Sequence, residues 1–420
     1  MVKREWPLAK QFRILLVERR ASMKLLVIGA GTVGQHLAEN AAKLNPFTEI
    51  VVADRDMGRA QTVASLFGGS PKQLDATDHV ALVGAMREAD VAVSAIGPST
   101  RFGMPTLLAA IEAGCPYAEI GDDPRPTLAM LECDAQAKAS GVTAILGLGA
   151  SPGVANMLAI EAGQRLDRVD RILTGWGSGG AHEATDTDPL TRDVTAALEH
   201  WVEQASGTIP VLMDGVITEA KPLSLVEVNY PGIGKVVTRT IGHPEPVTLK
   251  RRFPELQESF NVMDFPSYVF ACLAKAAKSV DEGKSPKEGA ELLIKLFGEQ
   301  PDDRILSGKA ASYFWHEAQD HLLGKRWLPP IWALASGLRH GKPARIAAAL
   351  GGYIQGGMGP MTGIPAALMA AMLASGETIG GPGVHSVDTT IDPDLFFSRL
   401  LPYLVDAAGH PAKEALSIST

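Results

Sequence analysis

The sequence predicts an α/β protein: a doubly wound parallel sheet followed by a second, α+β domain with a mixed sheet and a helical insertion. From about residue 23 to residue 150, apolar strand-like segments alternate with helical ones, which is typical of a parallel sheet. From about residue 154, short strand-like segments follow one another, separated by turn signals such as Asp214-Gly215 and Pro231-Gly232. Residues 264–340 are predicted to be mainly helical.

These patterns divide the 420 residues into four parts. We predict an N-terminal extension over 1–22, the parallel-sheet domain over 23–153, the α+β domain over 154–350 and a C-terminal segment over 351–420 that returns to the first domain. The extension has a short apolar centre and no small-residue cleavage site, so a secretory signal is not expected. Met23 precedes the first strand directly, and we expect it to be the natural start or the extension to be dispensable.

The first strand ends in the most informative motif of the chain. Residues 25–34 read L-L-V-I-G-A-G-T-V-G, an apolar run that ends in G-x-G-x-x-G before a helical stretch. Gly29 allows a tight turn, Gly31 allows a pyrophosphate to approach the backbone, and Gly34 lets the helix pack close to the strand. The amides at the helix start would face the phosphates. The predicted phosphate contacts are Gly29, Gly31, Thr32, Val33 and Gly34.

This motif predicts a Rossmann domain that binds a nicotinamide dinucleotide, and the second strand strengthens the prediction. That strand ends in Asp54, twenty residues after Gly34, where a carboxylate can accept the adenosine ribose hydroxyls. Asp54 would repel a 2′-phosphate, which favours NAD. Arg55 and Arg59 could instead bind that phosphate, so NADP is the alternative. A structural strand–helix unit with an empty turn is the other interpretation of the motif.

Two later loops should complete the cofactor site because they also follow strands. Asp75 and Ala76 should border the adenine, although Asp75 could instead cap the helix that starts near residue 78. Ala95-Ile96-Gly97-Pro98 should pass beside the nicotinamide ribose, or else form an ordinary strand-to-helix turn.

Composition limits the other partners. The formal net charge is −8 and no long basic run is present, so nucleic acid is not expected as a partner. No apolar segment approaches the length of a membrane span. The three cysteines form no C-x-x-C pair and the histidines show no metal-binding spacing, so we predict no metal site and a reducing, cytoplasmic location.

Seven motifs run in order through the chain after Met23. They are V-I-G-A-G-T-V-G at 27–34, V-A-D-R at 52–55, L-D-A-T-D at 74–78, D-V-A-V-S-A-I-G-P at 90–98, A-I-E-A-G-C-P-Y-A-E-I at 110–120, G-L-G-A-S-P-G-V-A-N-M-L-A at 147–159 and M-T-G-I-P-A at 361–366. Together they resemble the saccharopine dehydrogenase family, in its short bacterial branch with lysine 6-dehydrogenase-like and carboxynorspermidine dehydrogenase-like proteins. The resemblance implies an NAD(P)-dependent enzyme of amino-acid metabolism that acts on a carbon–nitrogen bond of an amino acid, imine or opine-like compound. It also implies a homodimer or larger assembly, with 154–350 as the substrate and dimerisation domain.

Carboxylates cluster where the fifth strand of the first domain ends. Glu119, Asp122 and Asp123 could bind a substrate ammonium or carry the proton that accompanies hydride transfer. Nearby carboxylates can raise one another's pKa toward neutrality, as a general base requires. The alternative is a solvated loop in which Asp122 or Asp123 caps a helix.

Candidate substrate contacts come from three further places. Ser151-Pro152-Gly153 opens a helix whose free amides could hold a carboxylate, or Ser151 could act only as a cap. Thr362 and Gly363 precede Pro365 at another helix start and could close the site. The second domain offers Tyr230, Lys235, Arg239 and His243, each of which could equally be a solvated strand residue.

The sequence leaves three functions open. The Y-x-x-x-K pair of short-chain alcohol dehydrogenases, G-x-S-x-G and the P-loop are all missing from the sequence, which disfavours alcohol oxidation, hydrolysis and phosphoryl transfer. The first function is an oxidoreductase acting on a small-molecule amine or imine. The others are an enzyme with tightly bound NAD and no net redox change, such as a lyase or isomerase, and a module that senses dinucleotide redox state.

Overall fold

The computed structural model describes residues 22–177, 196–298, 322 and 327–420. The predicted extension over 1–22 therefore lies outside the described residues, apart from Ser22. The strands of the described part, in chain order, are β1 (Met23–Ile28), β2 (Phe47–Asp54), β3 (Ser70–Gln73), β4 (Val91–Ser94), β5 (Tyr117–Glu119), β6 (Thr143–Leu146), β7 (Arg168–Gly177), β8 (Ile209–Met213), β9 (Val216–Ala220), β10 (Leu225–Tyr230), β11 (Gly234–Thr240), β12 (Glu258–Asp264), β13 (Ile331–Arg339), β14 (Lys342–Leu350), β15 (Gly383–Ser386) and β16 (Leu416–Ser419).

Helices connect these strands and cover both sheets. In chain order the α-helices of the described residues are α1 (Thr32–Ala41), α2 (Met57–Ser65), α3 (His79–Arg87), α4 (Ser99–Ala113), α5 (Pro124–Leu131), α6 (Asp134–Ala139), α7 (Ala155–Gly163), α8 (Ala196–Gln204), α9 (Glu245–Arg252), α10 (Ser267–Asp281), α11 (Pro286–Gly298), α12 (Met358–Ala374), α13 (Val387–Thr390) and α14 (Pro393–Leu400).

The first sheet confirms the predicted doubly wound architecture. Its seven strands lie in the order β15-β6-β5-β4-β1-β2-β3, and the pairings are parallel. The order reverses beside β1, so the loops that follow β1 and β4 meet at the switch point where such sheets bind ligands. Two strands were not predicted. β3 is short and largely exposed, and β15 comes from the C-terminal segment.

The second sheet is mixed, as predicted. The main path runs β10-β11-β12-β7-β13-β14-β16, with the β8–β9 hairpin attached to β12. β12 pairs with β7 in parallel, whereas β13 pairs antiparallel with both β7 and β14. The membership of β12 places residues 258–264 in the centre of this sheet, although the sequence analysis predicted no strand there.

The prediction of helix through residue 340 is wrong beyond residue 330. Residues 331–339 form β13, and the following residues form β14. Both strands are rich in alanine, which has the highest helix propensity. Their pairing within the second sheet overrides that local preference, because β13 lies between two partners and is buried at its start. Helices α10 and α11 are the described parts of the predicted insertion.

The C-terminal segment contributes to both domains, whereas the prediction returned it only to the first. Helix α12 packs against α1, and β15 extends the first sheet beside β6. Gly359 and Gly363 make the helix contact close: a Cβ at Gly363 would lie 2.7 Å from the Cβ of His36. The chain then crosses back, and β16 pairs with β14 in the second sheet.

Helix α7 joins the two domains. All nine of its residues are buried, and it packs against β7, β13 and β14. Burial on every side explains why the helix lacks a polar face. As for membranes, none of the helices in the described ranges is long and apolar enough to cross one.

Candidate active site

The glycine turn after β1 has the close contacts that the motif predicts. Gly29 has φ +107°, and a Cβ there would lie 2.8 Å from Ile96 Cγ2 and 2.9 Å from the Ala95 carbonyl oxygen. A Cβ at Gly34 would collide with the carbonyl oxygen of Gly29. These two glycines therefore hold α1 against β1 and bring the turn beside the loop that follows β4.

Gly31 differs from its neighbours because the space next to it is open. A Cβ at Gly31 would have no heavy atom within 4 Å apart from those of the adjoining chain, and the residue has an ordinary φ of −77°. No side chain caps the N-terminus of α1. Thr32 and Val33 begin this helix, so their amides point toward the open space. The turn therefore fits a dinucleotide pyrophosphate.

Asp54 lies at the end of β2 with its carboxylate held toward this turn. Its Oδ2 accepts the amide of Ala30 at 2.8 Å, and its Oδ1 accepts the amide of Asp56 at 2.9 Å. Carboxylate oxygens have further lone pairs for ribose hydroxyls. Arg55 and Arg59 follow on the exposed surface, where Arg59 lies 3.9 Å from Asp56.

The two remaining loops that the sequence predicts for the cofactor lie at the same edge of the sheet. Asp75 does not cap a helix, so that alternative is wrong: its Oδ1 accepts the amide and hydroxyl of Thr77, which lower the Asp75 pKa, while Asp78 caps α3. Ala76 follows in this turn. Ala95 donates its amide to the Ile28 carbonyl at 2.7 Å. The backbone continues through Ile96, Gly97 and Pro98 into α4.

Glu119 is the buried carboxylate at the end of β5. Its Oε2 accepts the amide of Gly121 at 2.6 Å, and its Oε1 accepts the amide of Gly147 at 2.9 Å. Burial raises the pKa of Glu119 to about 7, against the lowering effect of these two amides. The carboxyl therefore links the loops after β5 and β6, with neither oxygen directed at solvent.

The raised pKa of Glu119 should make the fold less stable as pH rises. Because the folded-state pKa of about 7 exceeds the ordinary value of 4.5, the protonated carboxyl stabilises the fold at low pH. That contribution is lost as pH rises through this window, by about 3 kcal/mol in total. Urea unfolding near pH 5 and near pH 7.5 should show the loss, and Glu119→Gln should remove it. An unchanged pH dependence in the variant would contradict this assignment.

Asp122 and Asp123 meet a histidine that the sequence analysis did not select. His200 Nε2, on α8, lies 2.6 Å from Asp122 Oδ1 and 3.4 Å from Asp123 Oδ1. The hydroxyl of Ser99 donates to Asp123 Oδ2, and Gln204 Nε2 donates to the Asp122 carbonyl at 2.9 Å. The alternative of side-chain helix caps is wrong, because no side chain caps α5.

The electrostatics of this ion pair favour its charged form. Burial by itself lowers the pKa of His200, but the charge of Asp122 and the hydrogen bond to it outweigh burial and raise the pKa well above 6.5. Burial likewise raises the pKa of Asp122, yet His200 brings it below 3.8. Burial raises the pKa of Asp123. His200 Nδ1 is buried without a hydrogen bond and lies 3.8 Å from Glu203 Oε2.

Ser151 does not cap a helix, because residues 151–153 have non-helical backbone angles and α7 begins only at Ala155. Its hydroxyl donates to Glu245 Oε1 and lies 3.3 Å from His243 Nδ1. The amide of Gly153 donates to Asn156 Oδ1 at 3.0 Å, so it is not free for a carboxylate. The loop after β6 therefore meets the second domain through side chains.

A buried network extends from Ser151 into the second sheet. Asn261 Nδ2 donates to Ser151 Oγ at 3.2 Å and to Thr174 Oγ1 at 3.0 Å. The indole N–H of Trp176 donates to Asn261 Oδ1 at 3.0 Å. Glu245 is fully buried, and its Oε2 lies 3.6 Å from His243 Nδ1 without a hydrogen-bond partner. A buried acceptor without a donor is costly, and the nearest ionisable group to this oxygen is the His243 ring.

Of the residues predicted to contact substrate, the structure brings only some close to Ser151 and Asp122. Thr362 lies within α12 with its methyl group against Gly149, rather than at a helix start, and Gly363 contacts α1. Tyr230 packs edge-to-face against Trp332 in the second domain's core. Lys235 pairs with Glu227 at 2.8 Å on exposed strands, and Arg239 lies over the ring of Phe270. These last three therefore have structural partners.

Sequence reasoning missed His200, Glu245, Asn261 and Trp176. Each lies far along the chain from the first domain and reaches the site only through the fold of the second. The one local signal was His243-Pro244-Glu245, which places an acid next to a selected histidine. In the described part of the chain, Asp122, Asp123 and His200 have donor atoms within 4.8 Å of one another. His200 Nε2 already contacts Asp122 directly, so the arrangement is an ion pair.

The fold and the open glycine turn define a protein that binds a nicotinamide dinucleotide. Residues 25–145 match the family model described as saccharopine dehydrogenase NADP binding domain. Among curated proteins, carboxyaminopropylagmatine dehydrogenase of Synechocystis is 28% identical over 261 residues, which is 58% of this chain. Carboxynorspermidine synthase of Vibrio cholerae is 24% identical over 273 residues, or 57% of this chain. Each alignment covers 62% of the relative's own length.

Solved structures agree on the fold. Apo saccharopine dehydrogenase (L-Glu forming) from Saccharomyces cerevisiae has a TM-score of 0.59 at 16% identity, covering 95% of this chain and 100% of that one. Homospermidine synthase from Legionella pneumophila, in complex with NAD, has a TM-score of 0.56 at 11% identity, covering 95% and 91%. The chain therefore has the fold of saccharopine dehydrogenase, and its residues 25–145 match the NADP binding domain of that family, to which the motifs bear a resemblance.

Proposed function

We propose that the protein is an NAD(P)-dependent oxidoreductase that acts on a carbon–nitrogen bond of an amine, imine or opine-like compound. The observation that supports the proposal is that the glycine turn and the Asp122–His200 pair lie at the same edge of the first sheet. The open turn at Gly31 and the half-buried Asp122 each follow a strand of one parallel sheet at its carboxyl edge, and His200 contacts Asp122 from α8. A hydride carrier and a proton-handling group at one edge are what amine oxidation requires.

The bound dinucleotide would accept or supply the hydride. Oxidation of an amine to an imine also releases the proton on nitrogen. His200 can take part in this transfer through Nδ1, while Asp122 holds Nε2 and stabilises the imidazolium. Ser151 and Glu245 would position the amine, and Glu119 would fix the loops after β5 and β6, which carry Asp122 and Ser151. The names of two relatives, which refer to carboxyaminopropylagmatine and carboxynorspermidine, support an amine substrate.

NAD is the proposed cofactor, with NADP as the alternative. The Asp54 carboxylate is held beside the turn by two amides and would repel a 2′-phosphate. Arg55 and Arg59 are exposed nearby and could contact a 2′-phosphate, so we expect NADP to bind, but more weakly than NAD.

A turnover assay tests both proposals. The purified chain with NAD⁺ should reduce the cofactor in the presence of some member of an amine panel, and the reverse reaction should consume NADH with an aldehyde or keto acid plus an amine. Because Asp54 would repel the 2′-phosphate, turnover with NADP(H) should be less efficient by about tenfold or more, which corresponds to about 1.4 kcal/mol. Absence of turnover in both directions would refute the oxidoreductase, and a preference for NADPH would refute the choice of NAD.

Assembly and location belong to the same proposal. A homodimer is supported by exposed apolar side chains on the β8–β9 hairpin, including Met213, Val216 and Ile217. A cytoplasmic location is supported by the three free cysteines. Light scattering of the purified chain would show a monomer mass if the dimer proposal is wrong.

A further inference from the structure

A set of hydrogen bonds made by Arg125 joins the first domain to the second beside the Asp122–His200 pair. Arg125 lies in the first turn of α5, three residues after Asp122. Its Nη1 and Nη2 donate to Oε1 and Oε2 of Glu219 on β9, at 3.0 and 2.7 Å. Nη2 also donates to the Thr208 carbonyl oxygen at 3.1 Å and lies 3.2 Å from the Thr208 hydroxyl oxygen. We call these contacts the interdomain clamp.

The interdomain clamp holds the end of the helix that contains His200. Thr208 lies in the connection between α8 and β8, four residues after Gln204, the last residue of α8. Gln204 Nε2 donates to the Asp122 carbonyl oxygen at 2.9 Å. The same helix places His200 Nε2 2.6 Å from Asp122 Oδ1. Residues 122–125 are therefore bound both to α8 and to the chain that directly follows it.

The clamp restricts geometry more than it stabilises the fold. The side chains of Arg125 and Glu219 are 58% and 49% exposed, and ion pairs with such exposure contribute little to global stability. A planar guanidinium, however, meets both oxygens of a carboxylate only in a narrow range of orientations. The hydrogen bond from the Thr208 side chain and then Arg125 lower the pKa of Glu219, so its charged form is the one that takes part.

We propose that Arg125 is a positioning residue, which holds α8 at the separation from the first domain at which His200 reaches Asp122. Its own hydrogen bonds go to Glu219 and Thr208, so any effect on the reaction passes through the pair. The inference rests on the proposed function for the importance of the pair in catalysis. The placement of His200 by Arg125 can be tested without any turnover.

The pKa of His200 reports this placement, and the sign of its change is diagnostic. Burial lowers the pKa of His200, and Asp122 has the largest of the effects that raise it, ahead of Glu203 and Asp123. Removal of the Arg125 charge would by itself raise the His200 pKa slightly, because a like charge disfavours the protonated ring. Loss of the contact with Asp122 would lower it. A direct electrostatic effect and a loss of position therefore have opposite signs.

NMR titration of the full chain, with ¹³C in the histidine rings, measures this pKa. A His200→Gln spectrum identifies the His200 signal among those of the ten histidines. Arg125→Ala should lower the His200 pKa by about 1 or more, since a close opposite charge commonly shifts a pKa by about 1 to 3. Arg125→Lys keeps the charge without the bidentate geometry and should lower it less. An unchanged or raised His200 pKa in folded Arg125→Ala protein would overturn the inference.

Arg168→Ala is the matched control, because its ion pair has the same geometry within one domain. Arg168 donates to both carboxylate oxygens of Asp170 at 2.7 and 3.0 Å, and both residues lie on β7. This variant should leave the His200 pKa unchanged. Both arginine variants should unfold within about 3 °C of the original protein. If Arg168→Ala lowers the His200 pKa as much as Arg125→Ala does, the inference is wrong.

Exchange of the two charges of the clamp provides a rescue. Arg125→Glu combined with Glu219→Arg keeps the net charge and allows an ion pair to form again between the domains. The double variant should recover part of the His200 pKa that Arg125→Ala loses, although the bonds to Thr208 are not restored. A double variant with a His200 pKa as low as that of Arg125→Ala would count against positioning by this ion pair.

Turnover separates this inference from the proposed function. With an amine identified in the turnover assay, Arg125→Ala should lower kcat by about tenfold and leave the KM for NAD⁺ within about twofold. A lowered His200 pKa with full-rate turnover would overturn the positioning role in the reaction. A lowered His200 pKa in a protein that turns over no amine would support the placement and refute the oxidoreductase. Turnover with an unmoved His200 pKa would leave the oxidoreductase and remove the role of Arg125.

Discussion

Replacing Gly31 with alanine is expected to weaken NADH binding by about a hundredfold, or about 2.7 kcal/mol, and to leave the fold intact. The new methyl group would enter the open space beside the turn, where a pyrophosphate must approach the backbone. The protein itself should tolerate the change, because that Cβ meets no heavy atom within 4 Å and φ is −77°. Calorimetric titration and thermal unfolding would measure the two effects separately.

Two other glycines provide the controls. Gly84→Ala adds a methyl group in equally open space on the exposed side of α3, far from the turn, and should leave NADH affinity unchanged. Gly34→Ala should lose both binding and stability, since its Cβ would collide with the Gly29 carbonyl. Unimpaired NADH binding by the Gly31 variant would mean that the turn does not hold the dinucleotide, and the proposed enzyme would fail with it.

Replacing Asp122 with asparagine is expected to lower kcat by about 10²- to 10⁴-fold. The variant keeps the shape of the side chain but removes the negative charge, whose Oδ1 atom lies 2.6 Å from His200 Nε2. Burial alone lowers the pKa of His200, and the Asp122 charge is the largest of the effects that raise it, ahead of those of Glu203 and Asp123. Without that charge, His200 loses its proton at lower pH, so the pH dependence of kcat should move toward acid. Steady-state rates measured across pH would show both effects.

The alternative to a catalytic effect is a purely structural role for Asp122. Asp170→Asn is the matched control. Asp170 is a partly exposed carboxylate on β7 that pairs with Arg168 at 2.7 Å and is not among the candidate site residues. It should leave kcat and its pH profile unchanged. A double variant of Asp122 and His200 should be little slower than the slower single variant, since the two act as a unit. A full-rate Asp122→Asn enzyme with an unmoved pH profile would exclude the pair from proton transfer.

The sequence was most informative where local pattern and burial coincide. β1, β2 and β4 to β6 are apolar runs bounded by turns, and the glycines at 29, 31 and 34 have local steric reasons that a motif can encode. β3 reads S-P-K-Q and is largely exposed, so it has no apolar pattern to detect. β13 and β14 contain alanines that favour helix locally, and only their partners in the sheet make them strands.

In the candidate site too, residues with a local sequence signal could be predicted, whereas residues brought there only by the fold could not. Asp122 and Asp123 could be selected because they follow a predicted strand, and the carboxyl ends of parallel strands share one edge. His200 and Asn261 gave no such signal: the first lies on a helix of the second domain and the second on β12, which was not predicted. Their proximity to Ser151 depends on the packing of two domains, which no spacing along the chain encodes.

The path of the C-terminal segment determines how the molecule can be dissected. A recombinant fragment ending near residue 153 would omit β15 and α12, which complete the first sheet and cover α1. That fragment would expose an unpaired sheet edge at β6 and the face of α1 that α12 covers, a combination that favours aggregation. A minimal, independently folding nucleotide module must therefore be assembled from two discontinuous stretches of chain, joined by an engineered linker in place of the second domain.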